Sequence, residues 1–420
     1  MKEKGSRAST VSMRTAVILL AALAGVFLAW GPGYAASSTD PIVIGGVYDL
    51  TGPLSTHGTA GNLTAKAAID RINKTGGIAG RQVKYIVEDS ATDPATGLRK
   101  FRKLILKDKC DFVLLGVNSG VAVGAIPIAK ELNTVIFTEA TARDITAKKG
   151  NRYVFRAIGD AEMAAIAMAR FARKELGENA YGLGADYEWG HSVIDMSEQV
   201  FGKIGLKMVG KAFSPVGTLD FVPYLSKVPK NTDFLVAGYF TNDVLNLVNQ
   251  AWELGLRKPV FVGSIHSIRY KDLGPGADLV WCGTYGSRSL SGYPQDVRAA
   301  QKAYRNAVGL NDEGWTESGL SAEYIWAGWE GVSWIKKGVE DSGWKSRDDN
   351  VKFMKALEGA TVKTGIEFPT GGKTMRAEDH QALTDIYVLK AEKGSVVTKG
   401  RVPASDILPS YPALVDFRKE

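Results

Sequence analysis

The sequence predicts an α/β protein built as two doubly wound, Rossmann-like lobes, and three observations carry that prediction. Residues 41–94 form a complete strand–helix–strand unit, the same alternation restarts near Asp160, and 420 residues exceed what a single core usually serves.

The first strand, residues 42–47, is apolar nearly throughout, as expected for a parallel strand covered on both faces. The helix after it places Ala65, Ala68, Ile69 and Ile72 on one face. Gly76 and Gly77 end that helix, because a C-terminal cap needs positive φ without a Cβ penalty. The second strand, residues 82–88, leads to Asp89 and Asp93, and Asp93-Pro94 reads as an N-cap followed by a first-position proline. Between the first strand and its helix, residues 48–58 gather polar side chains just outside the carboxyl ends of the strands, where open α/β sheets bind ligands.

Within this unit the order G-V-x-x-L-T-G-P, then I-x-x-I-N-x-x-G-G-I-x-G-R, then E-D-x-x-x-D-P resembles the extracytoplasmic solute-binding proteins of ABC importers, in the group that includes the branched-chain amino acid receptors. The resemblance implies the type I periplasmic binding protein fold, two lobes joined by a three-segment hinge. With three crossings between lobes, residues 40–157 and 286–363 are assigned to the first lobe, 158–285 and 364–405 to the second, and 406–420 to a C-terminal tail.

The amino terminus is basic up to Arg14, apolar from Ala16 to Trp30, and ends in Gly31-Pro32-Gly33-Tyr34-Ala35-Ala36. This reads as a signal peptide over residues 1–35, with Gly33 and Ala35 as the small residues of a cleavage site. The apolar run is shorter than the ~20 residues that span a bilayer. No cysteine follows it, so a freely soluble periplasmic protein is expected rather than a lipid-anchored one. Of the formal net charge of +7, Lys2, Lys4, Arg7 and Arg14 sit in this segment against Glu3. No basic run with interleaved aromatics remains, which argues against nucleic acid. Cys110 and Cys282 lie beside apolar strands and are expected to be free and buried. Related receptors often tie the Asp-Pro segment to the next strand by a disulfide; here those places hold Thr92 and Asn118 or Ser119.

Further βα units follow: a helix with Leu98, Phe101 and Ile105, a strand at 112–116, a helix with Ala125, Ile128, Ala129 and Leu132, and a strand at 135–137. The second lobe opens with a helix from Asp160 to Leu176 and continues through strands at 180–184, 208–213, 234–238, 260–262 and 279–285. A long helical stretch is expected from Pro294 to about Leu357, the last crossing near residues 361–372, and a hairpin of 384–391 with 395–398. The tail, with Pro403, Pro409 and Pro412, is expected to pack loosely at the surface.

Enzyme signatures are missing from the sequence. There is no G-x-G-x-x-G after Val47, no G-x-x-x-x-G-K-[ST], and Gly116-Val117-Asn118-Ser119-Gly120 is not a nucleophile elbow. His57, His191, His266 and His380 show no metal-ligand spacing, so neither metal nor cofactor is expected. What remains is a cleft rimmed by hydroxyls, backbone N–H groups and aromatics, which binds without reacting.

The resemblance places the carboxylate-holding loops at Asn118-Ser119 and at Ala140-Thr141, with His57 and Asp49 from the first-strand loop. The family's aromatic wall falls on Trp189 and Phe240. The acid that pairs with an amino acid's α-ammonium falls near Ile265 or His266, where no acid stands; Glu139, Asp49 or Asp379 are the candidates to replace it. Asp379 lies in Arg376-Ala377-Glu378-Asp379-His380-Gln381, beside the last crossing. The expected function is that of a monomeric periplasmic receptor that captures a small carboxylate-bearing solute and delivers it to an ABC permease driven by cytoplasmic ATPases. The solute is a branched-chain or other amino acid, or an aromatic or other organic acid. A ligand sensor on the same fold and a hydrolase using Ser119 with His57 are the alternatives from other classes.

Overall fold

The computed structural model describes residues 40–265, 267–321 and 327–420; the expected signal peptide and His266 lie outside them. The first lobe is a five-stranded parallel sheet. Its strands and helices alternate as β1 (Ile42–Tyr48), α1 (Ser55–Lys74), β2 (Val83–Asp89), α2 (Pro94–Leu106), β3 (Phe112–Leu115), α3 (Ser119–Glu131), β4 (Val135–Thr138) and β5 (Val154–Arg156). The strand order is β2-β1-β3-β4-β5, so the chain reverses its direction of winding between β1 and β3. Asp93 caps α2 as the sequence predicts, accepting the Thr96 N–H, while Asn118, expected to hold a ligand, accepts from Gly120 and Val121 at the start of α3.

The second lobe repeats the plan. Asp160 caps α4 (Ala161–Glu175), followed by β6 (Asn179–Ala185), α5 (Glu188–Lys203), β7 (Lys207–Ser214), the single turn α6 (Val222–Leu225), β8 (Phe234–Gly238), α7 (Thr241–Glu253), β9 (Val260–Val262) and β10 (Val280–Thr284). Its strands run β7-β6-β8-β9-β10 side by side and parallel, the same order with a second reversal between β6 and β8. Two reversals, one per lobe, are where ligands bind in open α/β sheets.

The helical stretch expected over residues 294–357 is broken. It forms α8 (Gln295–Val308), α9 (Ala327–Ser342) and α10 (Asn350–Leu357). Gly309 caps α8 in the left-handed region at φ 81°, and the positive φ of Gly314 and Gly319 folds the following segment into turns closed by a Trp315–Ser321 bridge. Helices α8 and α9 pack on α1, returning the chain to the first lobe. A small antiparallel sheet of β11 (Thr361–Val362), β12 (Lys373–Met375) and β13 (Ala382–Leu383) leads back. There Gln381 bridges Arg156, drawing two connecting strands together. The hairpin β14 (Ile386–Glu392) and β15 (Ser395–Val402) then extends the second sheet antiparallel to β10, turning at Lys393-Gly394 with both φ positive.

The tail differs most from expectation. It leaves the hairpin through the short helix α11 (Ala404–Ile407), which packs on α4 of the second lobe, and ends with Phe417 inside the first-lobe core beside Ile145 and Ala129. Ile407, Tyr411 and Phe417 are all buried. The prolines break regular structure without loosening the segment, because these widely spaced apolar side chains anchor it at both ends. The tail is thus a fourth passage between lobes. Cys110 and Cys282 are buried thiols, as expected.

Candidate ligand-binding cleft

Loops at the carboxyl ends of the strands face each other across a cleft between the lobes. The first lobe contributes Leu54 and His57 after β1, Val117 after β3, Glu139 and Thr141 after β4, and Ala327 at the start of α9. The second contributes Tyr187 and Trp189 after β6, Phe240 after β8, Gly263 and Ser264 after β9, and Tyr285 after β10. Ile158, in the segment that follows β5, also lines the cleft. The space among these residues, its mouth included, is about 570 Å³.

The lobes already touch. His57 meets the edge of Phe240 at 5.8 Å between ring centroids, and its two ring nitrogens lie 3.3 Å from Thr241 Oγ1 and 3.4 Å from Ser264 Oγ. Burial pushes the His57 imidazolium down to about 4, so the ring is neutral at pH 7. Behind it, Tyr187, Trp189 and Phe240 form an aromatic wall with centroids 5.7–6.3 Å apart and rings inclined at 48–84°.

Opposite this wall stands Glu139. Its Oε1 accepts the Tyr48 hydroxyl at 3.1 Å, while Oε2 is buried without a hydrogen-bond partner among the described residues. Burial, with the Asp49 carboxylate as a lesser contributor, pushes the Glu139 carboxyl up to about 8. No lysine or arginine stands among the lining residues.

Of the residues the sequence singles out, His57, Glu139, Thr141, Trp189 and Phe240 come together on the lining. His266 lies outside the described residues, and the other described ones are engaged elsewhere. Asp49 Oδ1 accepts Ser90 Oγ at 2.7 Å and Asn118 Nδ2 at 3.1 Å, which ties the loops after β1, β2 and β3 together behind the cleft wall. Asn118 also caps α3. Ser119 Oγ accepts the Ala142 N–H, and the Ala140 N–H goes to Thr138 Oγ1. Asp379 pairs with Arg376 through both carboxylate oxygens. The sequence reading passes over Tyr187 and Ser264, although both lie in strand-end loops, the one signal that marks them.

A profile of the periplasmic binding protein family matches residues 41–395. The Leu/Ile/Val-binding protein homolog 4 of Brucella abortus is 25% identical over 380 residues, 86% of each chain. Among solved structures, a leucine-binding protein from Thermotoga maritima superposes with a TM-score of 0.75 at 18% identity, covering 87% of this chain and 99% of the other. An ABC-transporter solute-binding protein from Rhodopseudomonas palustris, in complex with 3,4-dihydroxybenzoic acid, gives 0.73 at 19% identity, covering 87% and 98%. Among the described residues no helix is long and apolar enough to cross a membrane. The family match, the paired lobes and the cleft between their winding reversals agree: this chain belongs to the periplasmic binding protein family, with the two-lobed type I fold.

Proposed function

We propose that the protein captures a small carboxylate-bearing solute in the interlobe cleft and delivers it to an ABC permease powered by cytoplasmic ATPases. The observation that carries this reading is a cleft walled by loops from both lobes, lined by aromatic rings and hydroxyls and bridged by the His57–Phe240 contact. A solute touching both walls favours the closed state by its differential contacts, and the closed state is what a permease can distinguish. The aromatic wall takes an apolar body. Hydroxyls of Thr141, Ser264 and Tyr285 are neutral donors for a carboxylate. Relatives named as binding leucine, isoleucine and valine, and a neighbour holding a dihydroxybenzoic acid, share that pattern of a compact apolar body with one carboxylate.

Binding is the whole mechanism. The geometry disfavours the hydrolase alternative, since Ser119 Oγ accepts a backbone N–H and the His57 nitrogens face Thr241 and Ser264. The test is isothermal titration calorimetry with amino acids, benzoates and aliphatic acids. One-to-one binding of a member of this panel is expected; a protein that binds none of them is not a receptor for small carboxylates.

A further inference from the structure

We infer that Glu139 is the specificity-determining residue of the cleft, a seat for a cationic nitrogen, so that the receptor accepts solutes carrying an ammonium group and rejects the same carboxylic acids without one. The inference rests on the solute-capture reading above and decides between its two ligand classes.

Three observations converge on this carboxylate. First, Oε2 is buried on the cleft lining with no hydrogen-bond partner among the described residues, and a buried polar atom left in this way at a cleft is a candidate for a ligand's polar group. Second, the surroundings are shaped around it. Gly61 on α1 and Gly328 on α9 pack against the carboxylate so closely that a Cβ would come within 2.3 Å of Oε2 at Gly61 and 2.8 Å of Oε1 at Gly328. Both glycines sit inside helices, where glycine is disfavoured relative to alanine. Third, among the described residues no lysine or arginine perturbs Glu139 or lines the cleft beside it. The titratable groups there are Tyr48 and Asp49 from β1 and its loop, Tyr85 from β2, and neutral His57 from α1. A bare carboxylate brought to this end of the cleft meets a buried acid and no counter-charge. An ammonium can pair with the Glu139 carboxylate once its proton has left, and the rings of Trp189 and Phe240 line the same cleft.

The acid therefore stands on the first lobe, on the segment Glu139-Ala140-Thr141, and not on the loop carrying Ile265, where the family resemblance leads one to look. It also fixes a proton balance. Empty, Glu139 is held mostly protonated at pH 7; an ammonium needs the carboxylate, so the proton leaves to solvent as the ion pair forms.

The experiment is titration calorimetry at pH 7 in two buffers of different ionisation enthalpy. The probes are L-leucine and L-phenylalanine, their amine-free counterparts 4-methylpentanoate and 3-phenylpropanoate, benzoate, and the carboxylate-free 2-phenylethylamine. The expected result is binding of an amine-bearing probe with release of close to one proton. The amine-free acid of the same skeleton should bind at least 100-fold more weakly and release none. In Glu139→Gln the proton release should vanish and the 100-fold preference should shrink below tenfold. Proton release in the unaltered protein is read without any substitution, so a poorly folding variant leaves the test intact. Amine-free acids binding as tightly as their amine counterparts, or tight amine binding without proton release, overturn the inference while leaving solute capture standing. If no probe binds, both readings fall.

Discussion

Two buried carboxylates, Asp160 at the hinge and Glu139 in the cleft, show how differently one chain treats the same chemical group. Asp160 is fully enclosed and fully partnered. Its Oδ1 accepts the Met163 N–H as the cap of α4, and its Oδ2 takes Arg156 Nη2 at 2.8 Å and the Tyr411 hydroxyl. Around it, Arg143 pairs with Glu162 and Arg376 with Asp379, and the Tyr411 ring lies between the two guanidinium groups at 4.5 and 4.7 Å. Glu139 is nearly as buried, yet one of its oxygens has no partner. A buried polar group that finds its partners fixes geometry, whereas one left without a partner costs stability. The carboxylate at the hinge thus has partners enough to be structural, and the cleft acid is the one proposed to meet a ligand.

Breaking the hinge should have the largest effect. Arg156→Ala leaves the Asp160 charge enclosed with Arg143 Nε 3.7 Å away as its nearest remaining cation. Removing one partner of a buried pair costs about 3–5 kcal/mol, which urea unfolding would register as a large fall in midpoint. A loss within 1 kcal/mol by the same assay would mean that the hinge charges hold nothing together.

A milder cut separates the tail from the network. Tyr411→Phe keeps the ring between Arg143 and Arg376 but removes the hydroxyl that Asp160 accepts. The expected destabilisation is about 1–3 kcal/mol. An unchanged midpoint would show that the hydroxyl adds nothing to the ring contacts and backbone hydrogen bonds that hold the tail.

The smallest effect sharpens the other side of the comparison. A carboxyl pushed up to about 8 holds a proton that the unfolded chain has lost, so the ligand-free protein loses stability as pH rises toward that value. His57, pushed down to about 4, works in the opposite sense, adding stability as pH rises, but its contribution is complete near its ordinary value of 6.5. Between pH 6.5 and 8 the Glu139 slope therefore stands clear of His57, on the order of 1–2 kcal/mol. Asp243, raised to about 6, adds only its upper edge. Glu139→Gln should flatten that window in urea-unfolding measurements; a slope of equal size in the variant would assign it to another group.

Much of this molecule is legible in its sequence. Apolar runs such as residues 234–238 and 260–262 match their strands end to end, and Asp93 and Asp160 mark helix starts by their chemistry. The cleft is legible as a set of loops, because side chains at the carboxyl ends of parallel strands have nowhere else to converge. Which loop residue faces the cleft is less so. Asp49 and Glu139 both follow a strand, and only the tertiary neighbours Ser90 and Asn118 turn Asp49 away from the cleft. The tail was hidden for a related reason: its three prolines suppress any periodic pattern, while the contacts that bury Tyr411 come from Arg143, Asp160 and Arg376, far away in sequence.

The most direct test of solute capture in this cleft is the thermal unfolding midpoint with and without saturating L-leucine or L-phenylalanine, in the unaltered protein and in Trp189→Ala. A ligand at 100 times its dissociation constant adds about 2.7 kcal/mol, which in a protein of this size moves the midpoint by several degrees. The structure predicts that shift in the unaltered protein and its loss in Trp189→Ala at the same ligand concentration, because the aromatic wall is half of the site. A shift of undiminished size in the variant would place the bound solute outside the cleft and contradict the account.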